Sequence, residues 1–190
     1  MSTTERVLYS NTYTDEMNAH TIIEEWYEVE APPPPELKKV NVNPKETALL
    51  ILDIQKQNCN EKRPRCLERI LKNKELLERA RKAKMTIVYS VTRSAEKKDI
   101  REEVSPQGEP VVRAGVDKFF QTDLEPILKR KQIRKVIIVG TSAHGAVLHT
   151  AAGAAARGVD IIVPVDGLSA DSAYSEQYTI WHIAHSPGTT

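Results

Sequence analysis

The stretch Thr47-Ala-Leu-Leu-Ile-Leu-Asp53 decides the fold, because an uncharged, largely apolar run ends there in a carboxylate. A continuous apolar run of this length is typical of a strand buried on both faces, as in parallel sheets covered by helices. Similar runs follow at Met85–Val91, Val136–Val139 and Val159–Val165. We therefore expect four such strands, the first of them ending at Asp53, and a further short strand at 111–112.

Helical periodicity fills the segments between these runs. The first segment has apolar residues at helical spacing with Lys, Arg and Glu between them: Leu67, Ile70, Leu71, Leu77, Ala80 and Ala83. The other predicted helices cover residues 122–131, where Thr122 is the expected cap, 144–157 and 172–185. Alternation of strand and helix predicts a doubly wound, three-layer αβα fold with a mainly parallel sheet.

Ligands in such folds bind at the carboxyl ends of the strands. Four parts of the chain fall at these ends: Asp53, residues 90–93, residues 140–144 and Asp166. The charged stretch 93–117 should be a long loop, and long loops in compact domains are often functional.

The proline run Pro32–Pro35 is the sharpest boundary in the chain. Proline has no N–H group and a fixed φ, so this run is extended and belongs to neither helix nor sheet. We expect an N-terminal arm at 1–35 and a domain at 36–190. The arm contains Trp26 and Tyr27, so we expect its apolar side chains to be buried against the domain or a neighbouring subunit.

Composition excludes several classes of protein. The 190 residues include 27 Lys and Arg against 26 Asp and Glu, so the net charge of +1 indicates no nucleic-acid partner. No apolar run approaches the ~18 residues of a membrane span, and no signal peptide is recognisable at the start. The two cysteines, Cys59 and Cys66, form neither a disulfide framework nor a zinc-binding spacing. We therefore expect a reducing, cytoplasmic setting and no membrane partner.

Asp53 is the first candidate functional residue. A carboxylate at the end of an apolar strand is costly to desolvate unless it is paired or hydrogen-bonded. Burial raises the pKa of such a group, which suits general acid or base catalysis near neutral pH. A strand-end Asp in water, or one that caps a helix, is the structural alternative.

The turn from Gly140 to His149 is the second candidate. A strand-to-helix turn presents backbone N–H groups that suit an anion or an oxyanion. It matches neither a Walker loop nor a dinucleotide fingerprint. It nearly matches G-x-S-x-G, with His144 in place of the second glycine. A serine hydrolase is therefore an alternative, built from Ser142 with Asp166 or Asp171 and His182 or His185.

Four stretches together resemble the isochorismatase-like, or cysteine hydrolase, superfamily: residues 47–55, 119–124, 133–144 and 147–167. They occur in the family's order and span about residues 44–175, most of the domain. The resemblance implies a doubly wound α/β hydrolase that usually oligomerises. Its members typically use an Asp after the first strand, a Lys from the central loop and a Cys at the start of the helix after the turn. A non-proline cis peptide, which we expect at Thr141–Ser142, accompanies that turn.

The resemblance assigns the acid or base to Asp53 and departs from the pattern elsewhere. The cysteine position falls on Ala146, which has no nucleophilic atom. Counted back from Phe119 without a gap, the lysine position falls on Arg113, while Lys118 reaches the site if the loop differs. The candidate catalytic residues are Asp53, Arg113 and Lys118, and the candidate substrate or oxyanion residues are Thr141, Ser142, His144 and Ala146.

These departures narrow the expected activity. Acyl-enzyme amidase chemistry needs the missing thiol, and no histidine cluster follows Asp53 to hold a metal, so we expect neither metal nor cofactor. What the resemblance leaves is hydrolysis of a small anionic molecule by Asp-centred acid/base catalysis, such as vinyl-ether cleavage. The alternatives are a small-molecule-binding member without activity and the Ser142 hydrolase. The alanine-rich helix at 151–156 and the arm favour a homo-oligomer, a dimer or tetramer.

Overall fold

The computed structural model describes residues 21–186, and the chain divides between Pro34 and Pro35 into two units. The second unit contains the sheet. Its strands are β1 (Thr47–Leu52), β2 (Thr86–Thr92), β3 (Val111–Ala114), β4 (Lys135–Thr141), β5 (Asp160–Ile162) and β6 (Leu168–Ser169). Its α-helices are α1 (Pro64–Lys82), α2 (Leu124–Arg130), α3 (Leu148–Ala155) and α4 (Ala173–His185). Among the described residues, no helix has both the length and the apolar character needed to cross a membrane.

The six strands form one sheet in the order β3-β2-β1-β4-β5, with β6 paired to β4, and every strand pair is parallel. The predicted parallel sheet is confirmed, and the short strand predicted at 111–112, within the charged stretch 93–117, is part of β3. The register aligns Leu52 of β1 with both Ser90 of β2 and Gly140 of β4. The carboxyl ends of three neighbouring strands therefore meet around the residue that follows Leu52, which is Asp53.

Both faces of β1 are buried, as its apolar sequence predicts. Leu50 and Leu52 belong to a core shared with α2, α3 and α4, whereas Leu49 and Ile51 belong to a second core shared with α1. Helices therefore cover the sheet on two sides, and the fold is the predicted three-layer arrangement. Within α3, Ala151 and Ala154 are fully buried in the first core, so one face of the alanine-rich helix lies against its own domain.

The predicted fourth strand at 159–165 is wrong in extent. Two short strands, β5 and β6, pair instead with successive parts of β4. Pro164 lies between them, and its carbonyl accepts a hydrogen bond from the Gly167 N–H at 2.9 Å. Proline has no N–H for a ladder, so the strand breaks there and turns before β6.

Helix starts differ slightly from the sequence expectations. Helix α1 begins at Pro64, where a missing N–H costs nothing. The expected cap of α2 at Thr122 is wrong by one position: Asp123 is the N-cap, although Thr122 Oγ1 still accepts from the Leu124 N–H at 3.2 Å. Helix α4 begins one residue after the predicted start at Ser172, and Ser172 caps it through a 3.2 Å bond from the Ser175 N–H.

The described part of the first unit contains a short 3-10 helix, Glu24–Tyr27. Trp26 is 54% exposed and Tyr27 is 96% exposed in the single chain. The expected burial of these side chains is therefore not found in the described part of the arm, and cover by a neighbouring subunit stays a prediction. The expectation for residues 1–20 lies outside the described residues.

The two cysteines form a disulfide, so the expectation that they provide no disulfide framework is wrong. Cys59 lies in the loop that leaves β1 and Cys66 lies in the first turn of α1, with their Cα atoms 5.2 Å apart. The loop turns back onto the helix and brings the two thiols within bonding distance, which the polar sequence around them does not reveal. Both cysteines of the chain are consumed in this bond.

Candidate active site

Asp53 follows β1 directly and is 4% exposed. Its backbone has a φ of +52°, which turns the chain away from the strand direction. Its carboxylate accepts two hydrogen bonds: Oδ1 from Ser90 Oγ at 2.7 Å and Oδ2 from Lys118 Nζ at 2.6 Å. Both oxygens are therefore held in place by partners from the ends of neighbouring segments.

Lys118 is fully buried, and its ammonium is directed at the carboxylate. Nζ also donates to the Gly115 carbonyl oxygen at 2.6 Å, and the Lys118 backbone N–H donates to Thr150 Oγ1 at 3.3 Å. An ammonium has three N–H donors. Two of them are used by Asp53 and Gly115, which together fix the position of the ammonium.

The protonation of Asp53 is set by opposing effects. Desolvation is the largest and raises the pKa of the carboxyl above its ordinary value. The charge and hydrogen bond of Lys118, and the hydrogen bond of Ser90, act in the opposite direction and only partly offset it. Asp53 is therefore a stronger base, and its protonated form a weaker acid, than an exposed aspartate, which is the property that general acid/base catalysis requires.

The turn after β4 lies against the end of β1. Gly140 has a φ of +135°, and a Cβ there would lie 2.1 Å from the Leu52 carbonyl oxygen, so only glycine fits. One residue after Gly140, the peptide bond Thr141–Ser142 is cis, as predicted. The turn is thus held beside the strand that carries Asp53.

A π-helical turn, Ala143–Val147, follows the cis bond and leads into α3. The predicted helix at 144–157 is therefore two elements. Ala146 is 4% exposed, and Ser142 Oγ lies 3.1 Å from His144 Nδ1. These residues, with Thr141, are the candidate substrate-contacting group, and the structure places them at the same sheet edge as Asp53.

Gln55 ties two strand ends together and was missed by the sequence analysis. It is 1% exposed, its Nε2 donates to Thr92 Oγ1 at 2.9 Å, and its Oε1 accepts from the Thr92 N–H at 3.0 Å. Ser90 was placed at a strand end but given no role. The available signals are Ser90, a polar residue between Tyr89 and Val91 in a buried strand, and Gln55, two residues after Asp53.

Arg113 does not pair with Asp53, so of the two candidate cations the structure brings only Lys118 to the carboxylate. Its neighbours in β3, Val112 and Ala114, are buried while Arg113 is exposed, because alternate residues of a strand point to opposite sides. The charge of Arg113 acts on Glu96, whose pKa it helps to lower after the larger effects of Lys98. The ungapped count from Phe119 fails because the lysine that reaches Asp53 lies in the loop after β3, directly before Phe119, and not in the strand.

The serine triad is not assembled. Asp171 pairs with Arg63 at 3.4 Å, and Asp166 is exposed. His182 Nδ1 lies 3.3 Å from the Tyr178 hydroxyl, while His185 Nδ1 lies 2.7 Å from the Trp181 carbonyl. Ser142 has His144 as its side-chain partner, with no carboxylate behind it in the described residues.

Between residues 21 and 186, no three side chains of His, Cys, Asp or Glu are grouped so that they could hold a metal ion. The ordered groups of the site are a carboxylate, an ammonium, a hydroxyl and the backbone of the turn. Such a set can transfer a proton, balance charge and donate hydrogen bonds.

Comparisons with known proteins agree with this architecture. The model of the isochorismatase domain family matches residues 47–190. A search of the curated proteins finds no match. Among solved structures, the chain is similar to a nicotinamidase from Staphylococcus aureus, with 20% identity, a TM-score of 0.69, and 76% of this chain and 97% of that chain covered.

Two further solved structures are similar to this chain. An isochorismatase-like hydrolase from Alkaliphilus metalliredigens has 22% identity and a TM-score of 0.69, covering 73% of this chain and 90% of that chain. A cysteine hydrolase from Pseudomonas syringae pv. phaseolicola 1448A has 19% identity and a TM-score of 0.70, covering 82% and 92%. Likeness at these identities shows the fold, and the family match covers most of the chain. The chain therefore belongs to the isochorismatase domain family.

Proposed function

We propose that this protein is a hydrolase of a small anionic molecule and that Asp53 is its acid/base group. The observation that carries the proposal is the buried pair of Asp53 and Lys118, 2.6 Å apart at the carboxyl end of the central strand. A buried carboxyl group with a raised pKa and a fixed ammonium beside it suits proton transfer to or from a bound substrate.

The reaction proceeds without a covalent thioester. By the family resemblance the nucleophile position falls on Ala146, whose methyl side chain has no nucleophilic atom. Cys59 and Cys66 are bonded to each other and offer no free thiol. A mechanism for this chain must therefore use water, and vinyl-ether cleavage is the reaction that fits best.

Protonated Asp53 donates its proton to the enol-ether carbon. The π electrons of the C=C bond form the new C–H bond, and the C–C single bond remains next to an oxocarbenium ion. Water adds to that ion, and the resulting hemiketal breaks its C–O bond to give a carbonyl compound and an alcohol. The proton released by the water returns to the carboxylate. Lys118 keeps the charge of the Asp53 carboxylate balanced after the proton has left.

The turn supplies the surface on which the substrate rests. Thr141, Ser142 and His144 lie at the edge where β1 and β4 end, next to Asp53. We propose that the Ser142 and His144 side chains and the backbone N–H groups before Ala146 bind polar oxygens of the substrate.

Turnover of a panel tests the proposal. The panel contains isochorismate, small amides and carbamoyl compounds, assayed with the parent, Asp53→Asn and Ser142→Ala. Turnover that survives iodoacetamide and is lost in Asp53→Asn supports the acid mechanism. Binding without turnover of any compound contradicts it and favours a ligand-binding protein. Loss in Ser142→Ala with full activity in Asp53→Asn also contradicts it and favours a serine hydrolase.

Two wider expectations stay predictions. We propose a homo-oligomer, which light scattering of the purified chain tests directly. We also propose a cytoplasmic location, although the Cys59–Cys66 disulfide argues the other way, because disulfides are rare in reducing compartments. Titration of free thiols in protein from a cytoplasmic extract tests this location. Free Cys59 and Cys66 would support it, and an intact disulfide would contradict it.

A further inference from the structure

The site needs a second cation if its substrate is an anion. The charge of Lys118 is balanced by the Asp53 carboxylate at 2.6 Å. The Arg113 side chain is on the face of β3 opposite to that of the buried Val112 and Ala114. Its charge helps to lower the pKa of Glu96, after the larger effects of Lys98. Neither Lys118 nor Arg113 therefore supplies an additional positive charge beside Asp53.

Arg93 follows β2 directly and is exposed. Among residues 21–186, its guanidinium makes no ion pair and no hydrogen bond. It lies beside Gly115: a Cβ on that glycine would be 3.9 Å from both Nε and Nη2 of Arg93. An unpaired guanidinium therefore borders the loop that carries the buried lysine.

Gly115 contacts Lys118 on one side and lies beside Arg93 on the other. Its carbonyl oxygen accepts from Lys118 Nζ at 2.6 Å, and the same nitrogen donates to Asp53. Standard backbone dimensions then place the Arg93 guanidinium within about 10 Å of the Lys118 ammonium. That span suits a small molecule whose reacting atom meets Asp53 while its anionic group meets Arg93.

Nearby acidic groups on the same loops already have partners. Glu96 is 2.8 Å from Lys98, Asp99 accepts from the Glu96 N–H at 2.8 Å, and Asp117 accepts from the Phe119 N–H at 2.9 Å. Arg93 is left as an open cation at the rim of the site. A planar guanidinium offers two parallel N–H donors, which match the two oxygens of a carboxylate.

We propose that Arg93 binds the carboxylate of the substrate and thereby selects small carboxylic acids over neutral analogues. This inference rests on the proposed function, because it assumes that the molecule held at Asp53 is the substrate. It names Arg93 in place of the two cations considered from sequence, Arg113 and Lys118.

Calorimetry with unreactive probes tests the proposal without requiring turnover. Benzoate, salicylate and pyruvate are titrated into the parent, Arg93→Gln, Arg93→Lys and the exposed control Arg113→Gln, with benzamide as the neutral counterpart of benzoate. We expect at least one carboxylate to bind the parent and Arg113→Gln equally, and roughly tenfold or more weaker to Arg93→Gln. Arg93→Lys should recover part of the loss, and benzamide should not distinguish the variants.

Equal carboxylate affinity in Arg93→Gln and the parent overturns the proposal, and so does the absence of measurable binding of all three carboxylates to the parent. Circular dichroism confirms that each variant is folded. The outcome is separable from that of the proposed function. If turnover depends on Asp53 but the carboxylate affinity is the same in Arg93→Gln and the parent, only this inference fails. If no compound is turned over but binding depends on Arg93, only the proposed reaction fails.

Discussion

Lys118 and Asp53 are 65 residues apart in sequence, yet Nζ of one lies 2.6 Å from Oδ2 of the other, and neither side chain is more than 6% exposed. Removing one member of a buried ion pair leaves the other charge desolvated without compensation. A substitution in this pair should therefore change both the stability of the fold and the activity of the site.

Replacing Lys118 with methionine should abolish activity and lower the free energy of unfolding by roughly 3 kcal/mol at pH 7. Without the ammonium, the pKa of Asp53 rises further above its ordinary value of 3.8. A carboxyl group whose pKa is raised in the folded state contributes less to the free energy of unfolding as pH increases from its unfolded-state pKa to its folded-state pKa. Because the Asp53 pKa is raised less in the parent, the deficit of the variant in urea unfolding should grow as pH increases from the folded-state pKa of the parent to that of the variant.

Lys135→Met is the matched control, since Lys135 pairs with Asp160 at 3.2 Å on the surface. Exposed pairs contribute between nothing and about 1 kcal/mol, so this variant should remain close to the parent at every pH. A Lys118→Met protein as stable as Lys135→Met would contradict the buried-pair interpretation.

Replacing Ser90 with alanine should move the pH profile of kcat/KM. The Ser90 hydroxyl donates to Asp53 and lowers the pKa of that carboxyl, so its loss raises the pKa further. If Asp53 acts as an acid, activity falls as pH increases through this pKa. The falling limb should then move to higher pH.

Ser105→Ala, an exposed change of the same kind, should leave the profile unchanged. A limb that stays in place in Ser90→Ala would show that another group controls the rate. A profile that increases with pH through the same range would show that Asp53 works as a base.

Much of this molecule could be predicted from its sequence, and the reasons lie in particular residues. The strand ending at Asp53 is apolar on both faces, so its burial and the parallel sheet follow from pattern alone. The turn at Gly140 is recognisable because a glycine follows an apolar strand and precedes a helical pattern, whereas the contact that a side chain there would make with Leu52 depends on the folded structure.

The partners of Asp53 could not be predicted in the same way. Which cation reaches Asp53 depends on how the chain returns after β3, and nothing in the local sequence distinguishes Lys118 from Arg113. The Cys59–Cys66 bond likewise depends on the path of a polar loop. Pairings between distant segments follow from tertiary geometry, which periodicity does not encode.

Replacing Gly140 with alanine should prevent folding or cost about 4 kcal/mol or more. The new Cβ would lie 2.1 Å from the Leu52 carbonyl oxygen, and φ is +135°. Gly158→Ala is the control, because φ there is +70° but no atom lies within 4 Å of the new Cβ. The control should lose about 1 kcal/mol. Equal losses in a urea titration would contradict the close approach of the two strands.

Replacing Glu176 with glutamine should destabilise the protein by roughly 2 kcal/mol at neutral pH. Glu176 accepts two bonds from Arg65, at 2.7 and 2.5 Å, and one from the Ala170 N–H at 2.9 Å. These bonds, against the opposing desolvation, leave its pKa below the ordinary value of 4.5. Its contribution is therefore complete above pH 4.5 and is lost as pH falls through the lowered pKa.

Thermal melts at pH 7 and pH 3 measure this difference. The exposed pair of Asp171 and Arg63 supplies the control, Asp171→Asn, which should change stability by less than about 0.5 kcal/mol. A Glu176→Gln deficit that is unchanged or larger at pH 3 would contradict the expected direction of the pH dependence.

The most direct measurement is kcat/KM of Asp53→Asn on whichever panel compound the parent hydrolyses, beside the surface control Asp160→Asn. General acid/base groups contribute about 100- to 10,000-fold, so we expect a loss of that size in Asp53→Asn and parent-like activity in Asp160→Asn. Activity of Asp53→Asn within about threefold of the parent, in folded protein, would contradict a catalytic role for this carboxyl group.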